Sequence, residues 1–258
     1  MANSCDFVSQ RTYKLQEGTD VNGYAYRYVS GDPMGTRLYT LANGLRVYLS
    51  RYTATPNIYT NFVINAGGQD DPSHATGLAH YLEHIMFKGT SQFGTQDWNK
   101  EKPLLDTIEV LFERYRQTKD QKTRTAIYQR IDKLSYEASK YAVPNEYDKM
   151  VASIGATGTN AYTSYDRTVY INKVPSNQLE KWLRLEANRF SEVIARLFHT
   201  ELEAVYEEKN GGMDNDDWVI MEATFAALFP THPYGTQSII GTIEHLKNPS
   251  IAEIKKFF

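Results

Sequence analysis

The sequence predicts an α+β fold, in which a mixed, mostly antiparallel sheet carries helices packed on one face. Three observations lead to it. Segments with period-2 alternation of apolar and polar residues read as strands and occur at 38–41, 45–49, 58–66 and 155–174. Segments with apolar residues every three or four positions read as helices and occur at 77–87, within 97–150, and at 178–194, 200–211 and 250–258. The two kinds are interspersed without strict strand–helix–strand alternation, which favours an α+β fold over a doubly wound one.

The strands are bounded by turn residues. Ala42-Asn43-Gly44 joins the first two as a predicted hairpin. In the third strand, Ile58, Thr60, Phe62 and Ile64 fall on one face, and Gly67 follows its end. Such alternation is expected of strands with one buried face.

Among the helices, the stretch 97–150 is rich in charged residues and carries two amphipathic stripes around a polar turn near Lys119-Asp120. We therefore predict a helical hairpin with a solvated outer face; a partner-binding arm is the alternative. The last helix begins with a capping box formed by Ser250 and Glu253.

Composition limits the possible chemistry. Of 258 residues, 41% are hydrophobic and 23% are charged, enough for a sizeable core. The net charge of −3 argues against nucleic-acid binding, and no apolar run approaches the roughly 18 residues of a membrane span. The single cysteine, Cys5, excludes an intrachain disulfide and a thiolate metal cluster. Any metal must therefore be held by histidine and carboxylate.

We expect an N-terminal extension at 1–34 and one catalytic domain at 35–258, with the helical hairpin inserted at 97–150. The chain lacks a recognisable signal peptide and ends within a predicted helix, on Phe257-Phe258. We expect it to be a fragment of a longer protein, truncated before the last strand of its own domain.

The strongest motif is H-x-x-E-H, at His80, Glu83 and His84, on a predicted helix. The four-residue spacing places both imidazoles on one helix face, where they can bind one Zn²⁺. Glu83 lies beside them and can accept a proton from a metal-activated water. The arrangement is the inverted form of the H-E-x-x-H zinc motif.

A catalytic zinc usually has a third protein ligand. The predicted helix from Glu201 to Glu208 offers four carboxylates, at Glu201, Glu203, Glu207 and Glu208. Glu201 and Glu208 are two turns apart and share a face, so either could bind the metal while the other supports a ligating histidine.

The run from His80 to Thr90 strongly resembles the zinc site of the pitrilysin/insulysin-type metallopeptidases, which include the mitochondrial processing peptidases and many bacterial enzymes. Two further blocks resemble the family in the same order: Glu201–Asn210, similar to its downstream helix, and Gly158–Ser164, similar to its active-site edge strand. The chain departs from the family in one spacing. His84 and Glu208 are 124 positions apart, and this exceeds the usual spacing in the family by about the length of the predicted hairpin.

The resemblance implies one Zn²⁺ per chain. His80, His84 and Glu208 would bind it, with Glu201 supporting them and Glu83 as the base. It also implies that Asn160 and Ala161 bind an extended peptide substrate through the main chain. Of the four remaining histidines, His74 is expected to be a capping or surface residue. The other three have no ligand spacing and are not expected to be site residues: His199, His232 and His245.

These features predict a zinc endopeptidase that hydrolyses unfolded peptides, inactive or weakly active as an isolated fragment. The alternative is a non-catalytic peptide-binding scaffold or subunit of a larger peptidase assembly. Expected partners are a peptide substrate and the missing C-terminal domains or a homologous subunit. The range of the family suggests a bacterial extracytoplasmic location, with the signal peptide removed. The residues of this chain do not themselves indicate a location.

Overall fold

The computed structural model describes residues 13–258, so Cys5 lies outside the described residues. The α+β prediction is confirmed, and every strand pair in the described part of the chain is antiparallel. The strands form two sheets rather than one. They belong to two compact units, Met1–Pro56 and Asn57–Phe258. This division lies at 56/57, whereas the sequence places the domain boundary at 34/35.

The first unit contains a four-stranded meander in the order β1-β2-β3-β4. Its strands are β1 (Leu15–Thr19), β2 (Ala25–Val29), β3 (Arg37–Thr40) and β4 (Arg46–Leu49). Strands β1 and β2 lie within the segment expected to be a polar extension. Their side chains are largely exposed, so they carry little of the buried alternation that identifies a strand. The predicted β3–β4 hairpin is confirmed, and Gly44 provides the left-handed turn residue at φ +89°.

The second unit contains a three-stranded sheet of β5 (Asn57–Ile64), β6 (Thr157–Thr163) and β7 (Thr168–Pro175). The spatial order is β5-β7-β6, which leaves β6 at an edge. The segment 155–174, which is predicted to form a strand, is therefore a hairpin of two strands. It turns at 164–167, where the Ser164 N–H donates to the Arg167 carbonyl at 2.8 Å.

Ten helices occur in the described residues, all in the second unit. They are α1 (Leu78–Ile85), α2 (Trp98–Gln117), α3 (Gln121–Ser139), α4 (Glu146–Ser153), α5 (Leu179–Arg189), α6 (Phe198–Met213), α7 (Asp216–Leu228), α8 (Pro233–Thr236), α9 (Ile243–Leu246) and α10 (Ile251–Phe257). Helices α2 and α3 form the predicted hairpin, each with an aspartate N-cap, Asp97 and Asp120. No membrane-crossing helix is found at 13–258, where none is long and apolar enough.

Helices α4, α5 and α7 differ from the sequence prediction. Helix α5 ends at Arg189 rather than near 194, and the chain then crosses to the loop after α1, where Glu192 accepts the Ser91 N–H. Helices α4 and α7 were not predicted. α7 begins at Asp216, and the side chain of Asn215 caps it by accepting the Trp218 N–H.

Helix α1 lies at the centre of the main core. The Tyr81 hydroxyl donates to the Phe198 carbonyl at the start of α6, at 2.5 Å. On the sheet, Phe62 stacks on Phe190 with ring centroids 4.1 Å apart. The hairpin packs behind α6, where Phe112 meets the ring of Phe198 at 5.0 Å. The two helices that carry the predicted metal ligands are thus packed directly against each other.

Candidate metal centre

The start of α1 is fixed by a buried carboxylate rather than by a local cap. The N–H groups of Gly77 and Ala79 donate to Asp71, at 2.6 and 2.9 Å. Gly77 has φ +91°, and a Cβ there would lie 2.7 Å from the Ile240 carbonyl oxygen. Only glycine fits this position. The orientation of the histidine helix is therefore set by contacts made outside the helix.

Three of the predicted site residues converge. Glu208 Oε2 lies 3.7 Å from His80 Nε2 and 3.6 Å from His84 Nε2. In the described part of the chain, these three form the one group of histidine and carboxylate ligand atoms close enough to share a metal ion. Ligands around a tetrahedral zinc, at about 2.0–2.1 Å from it, lie roughly 3.3 Å apart. The observed separations are close to that value.

Glu201 occupies the other side of His84. Its Oε2 lies 3.5 Å from His84 Nδ1, so the two carboxylates of α6, two turns apart, face the two nitrogens of one imidazole. Burial raises the pKa of Glu201, but its contacts with His84 and Lys88 together outweigh burial and hold the pKa below its usual value. An ionised Glu201 favours the tautomer in which His84 Nδ1 carries the proton and Nε2 keeps its lone pair.

The protonation state of His80 also suits a metal ligand. Burial, and secondarily the neighbouring His84, lowers the pKa of His80 to about 4. The imidazole is therefore neutral near pH 7. His80 Nδ1 is buried and has no hydrogen-bond partner within residues 13–258. Glu208 pairs with no lysine or arginine in that range, so its charge is uncompensated between two imidazoles. Two imidazoles and one carboxylate are a donor set typical of a catalytic zinc.

Glu83 points to the edge strand instead of joining the three ligand atoms. Thr163 Oγ1, on β6, donates to Glu83 Oε2 at 2.5 Å. Glu83 is only 7% exposed, and burial raises its pKa while the hydrogen bond from Thr163 acts in the opposite direction. A carboxylate with a raised pKa beside a metal-binding group is typical of a general base.

A cleft of about 580 Å³ opens in front of these residues. Strand β6 forms one side of it, including Asn160 and Ala161, which pair with Ile171 and Tyr170 of β7 and leave the outer edge of β6 facing the cleft. The rest of the lining is mainly apolar and includes Phe87, Trp218, Met221, Ile239 and Ile240. A ligand in this cleft would contact the edge of strand β6, the carboxylate of Glu83 and an apolar wall.

All seven predicted site residues thus lie in or directly behind this cleft. The sequence reasoning missed the partners that hold them, Asp71, Lys88 and Thr163, and the wall formed by Trp218. Lys88 could have been noticed, since it lies in the run from His80 to Thr90; the others lie outside that run and carry no local signal. Of the other histidines, His245 accepts the Thr76 N–H through Nδ1, at 3.1 Å, outside the metal-binding group.

The family described as Insulinase (Peptidase family M16) matches residues 46–102 and 131–239. The matched segments flank 103–130, which falls within the helical hairpin.

Two relatives are annotated by name as peptidases. An uncharacterized zinc protease of Rickettsia bellii is 24% identical over 219 residues, covering 84% of this chain and 41% of that protein. A probable mitochondrial-processing peptidase subunit beta of Arabidopsis thaliana is 24% identical, covering 86% of this chain and 33% of that protein. The chain thus spans about two-fifths of the length of the first relative and about one-third of the second.

Among solved structures, a protease from Helicobacter pylori superposes with a TM-score of 0.62 at 24% identity. The match covers 86% of this chain and 42% of that one. At this identity the likeness establishes a shared fold.

Proposed function

The chain belongs to the insulinase family of peptidases, family M16, and on that basis we propose that it is the zinc-binding part of an endopeptidase acting on unfolded peptides. The observation that carries the proposal is the convergence of His80, His84 and Glu208, with the buried Glu83 in the same cleft. Relatives named as zinc proteases support it.

In this proposal His80, His84 and Glu208 bind the zinc ion, and Glu201 orients His84. When bound, zinc supplies a Lewis acid that polarises a carbonyl group and lowers the pKa of water. The chain's own contribution is to keep the imidazole of His80 neutral and to keep the carboxylate of Glu208 free of competing cations. Both conditions are met by the burial of His80 and by the absence of a lysine or arginine partner for Glu208 within residues 13–258.

Glu83 acts as the general base. Its carboxylate accepts a proton from the attacking water and returns it to the leaving amine. Thr163 fixes the carboxylate through one oxygen, Oε2, which leaves Oε1 for the water. Partial burial strengthens Glu83 as a base because it destabilises the charged form.

The peptide binds in extended form beside β6. An edge strand offers unpaired N–H and C=O groups, and an added strand satisfies them without regard to side-chain identity. Asn160 and Ala161 lie on this edge, within the cleft. A segment must be locally unfolded to pair in this way, which is why we propose unfolded peptides as the substrate class.

The relatives are more than twice as long as this chain. We therefore propose that activity needs further domains of the same polypeptide or a homologous subunit, which would cover the open side of the cleft. The named relative that is a subunit, the beta subunit of a processing peptidase, supports an assembly. A peptide-binding scaffold without catalysis is the second candidate. It is disfavoured because Glu83 and all three ligand residues are present.

The test compares the full-length gene product, loaded with zinc, with its Glu83→Gln variant on an unstructured fluorogenic peptide. General-base catalysis contributes about 10²–10⁴-fold, so the variant is expected to lose activity by that factor while it still binds one zinc. Glu180→Gln, an exposed substitution on α5, is the matched control and is expected to keep full activity. Cleavage by Glu83→Gln at the wild-type rate would exclude the assigned role, and no cleavage by the zinc-loaded wild type would favour the scaffold.

A further inference from the structure

Lys88 lies three residues beyond α1 and contacts the carboxylate behind His84. Its Nζ is 2.6 Å from Glu201 Oε1, and the two side chains are 16% and 13% exposed. The other oxygen, Oε2, faces His84 Nδ1 at 3.5 Å. One carboxylate thus connects a partly buried ammonium group with an imidazole of the metal centre.

The backbone of Lys88 is itself held by a second buried ion pair. The Arg196 guanidinium donates to the carbonyl oxygens of Lys88 and Thr90, at 2.7 and 2.9 Å. It also forms two 2.8 Å bonds to the carboxylate of Glu101. Arg196 is 1% exposed and Glu101 0%. The loop after α1 is therefore fixed at the position from which Lys88 reaches Glu201.

The same arginine stands at the entrance to α6. Leu197, the next residue, has φ +53°, a conformation that costs a non-glycine residue roughly 1–2 kcal/mol. Helix α6 begins directly after this residue, at Phe198, and Glu201 lies in its first turn. Arg196 therefore links the end of α1 to the beginning of α6, the two helices that supply the metal-binding group.

We propose that Lys88 is a positioning residue of the metal centre, which holds Glu201 against His84 and is itself held in place by the buried Arg196–Glu101 pair. The inference rests on the proposed function only in taking zinc as the ion bound. Lys88 does not line the cleft, so it acts through Glu201 and not on substrate.

Charge is central to this role. Without the Lys88 ammonium, Glu201 would lose its closest cation, and its carboxylate would be free to turn away from His84. His84 would then lose the partner that fixes its ring and its tautomer. Loss of such supporting groups typically weakens metal binding by about 10–100-fold.

The first experiment measures the affinity of the full chain for Zn²⁺ alone, by competition with a chromogenic chelator. Lys88→Met is expected to weaken binding about tenfold. Lys88→Arg keeps the cation and is expected to restore binding to within about threefold of the wild type. Lys102→Met is the matched control, because Lys102 forms an exposed ion pair with Asp106, and it is expected to bind zinc normally. A Lys88→Met variant with wild-type affinity overturns the proposal.

A second experiment tests the route through Glu201. Glu201→Gln alone is expected to weaken zinc binding about tenfold, and adding Lys88→Met to it is expected to have little further effect. Fully additive losses, or wild-type affinity in Glu201→Gln, would show that Lys88 does not act through this carboxylate. This arm decides the question even if Lys88→Met alone fails to fold.

Thermal unfolding of the metal-free proteins separates positioning from general stabilisation. A purely structural role lowers the melting temperature without changing the zinc affinity of the folded protein, and that result contradicts the proposal. Absence of zinc binding by the wild type would instead contradict the proposed function, so the two failures are distinguishable.

Discussion

Helix α1 and the hairpin that follows it are neighbours in sequence but differ in how much of their surface is buried. α1 has eight residues, of which six are buried. α2 and α3 have 20 and 19 residues but bury only four and three. α1 is enclosed by the protein, whereas the hairpin lays one narrow stripe against α6 and α10. A helix as short as α1 has little stability of its own in water, so its position must come from tertiary contacts.

The helix starts differ in the same sense. Asp97 and Asp120 cap α2 and α3 from the adjoining position. α1 starts at the left-handed Gly77, and its first N–H groups reach back to Asp71. The hairpin thus carries its folding signals in the capping residues themselves, while the histidine helix depends on contacts outside the helix, with Asp71 and with the backbone of Ile240. We expect mutations in the hairpin to change stability without changing the metal centre, and mutations around α1 to change both.

The largest effect is expected from Ile131→Ala, in the fully buried stripe of α3. Shortening the Ile131 side chain to a methyl group leaves a cavity. The free energy of unfolding, measured by urea titration, should therefore fall by about 2–5 kcal/mol. The folded protein should still bind zinc with wild-type affinity. Val110→Ala, at a site that is 67% exposed, is the control and should change stability by less than about 0.5 kcal/mol. Weaker zinc binding by folded Ile131→Ala would remove the contrast between the two regions.

The next effect is expected from Gly77→Ala. The methyl group would meet the Ile240 carbonyl oxygen, and the backbone would be strained at φ +91°, for a total of roughly 2–3 kcal/mol. Because α1 starts here, zinc affinity should fall as well. Gly44→Ala has nearly the same φ, +89°, but no atom within 4 Å, and should cost about 1 kcal/mol with no change in zinc binding. Equal effects of the two substitutions would show that Gly77 matters only for its backbone conformation.

The smallest effect is expected from Asp120→Ala, which removes the N-cap of α3. The carboxylate accepts the Thr123 N–H at 2.8 Å, and its loss should cost about 1 kcal/mol in thermal or urea unfolding. Asp120→Asn keeps an equivalent acceptor and should be nearly neutral. A loss of several kcal/mol in Asp120→Ala would mean that the hairpin depends on more than its local capping interactions.

The same contrast explains what could be read from the sequence. The hairpin, the alternation of β5 and the spacing of His80, Glu83 and His84 are periodic or local features, and these predictions match the structure. Strands β1 and β2 were missed because they bury little. α7 was missed because its apolar residues do not collect on one side of the helix, so no stripe marks a face.

At the site, the predicted metal ligands could be named from the sequence, but not the residues that hold them. Asp71 and Thr163 act across 8 and 80 positions, on Ala79 and Glu83 respectively. Arg196 and Glu101 are 95 positions apart. No spacing rule connects such pairs, because they meet only once the helices have packed. The choice between Glu201 and Glu208 was open from spacing alone; in the structure Glu208 faces both imidazoles and Glu201 faces only His84.

The most direct test of the central claim is the zinc content and zinc affinity of the purified chain beside His80→Ala and Glu208→Gln. The account predicts one zinc per wild-type chain and an affinity reduced by at least about 100-fold in both variants, since each removes one of three ligands. Circular dichroism would verify that all three proteins are folded. A folded wild type that takes up no zinc after reconstitution, or variants that bind it as tightly as the wild type, would contradict the claim that His80, His84 and Glu208 form a metal centre.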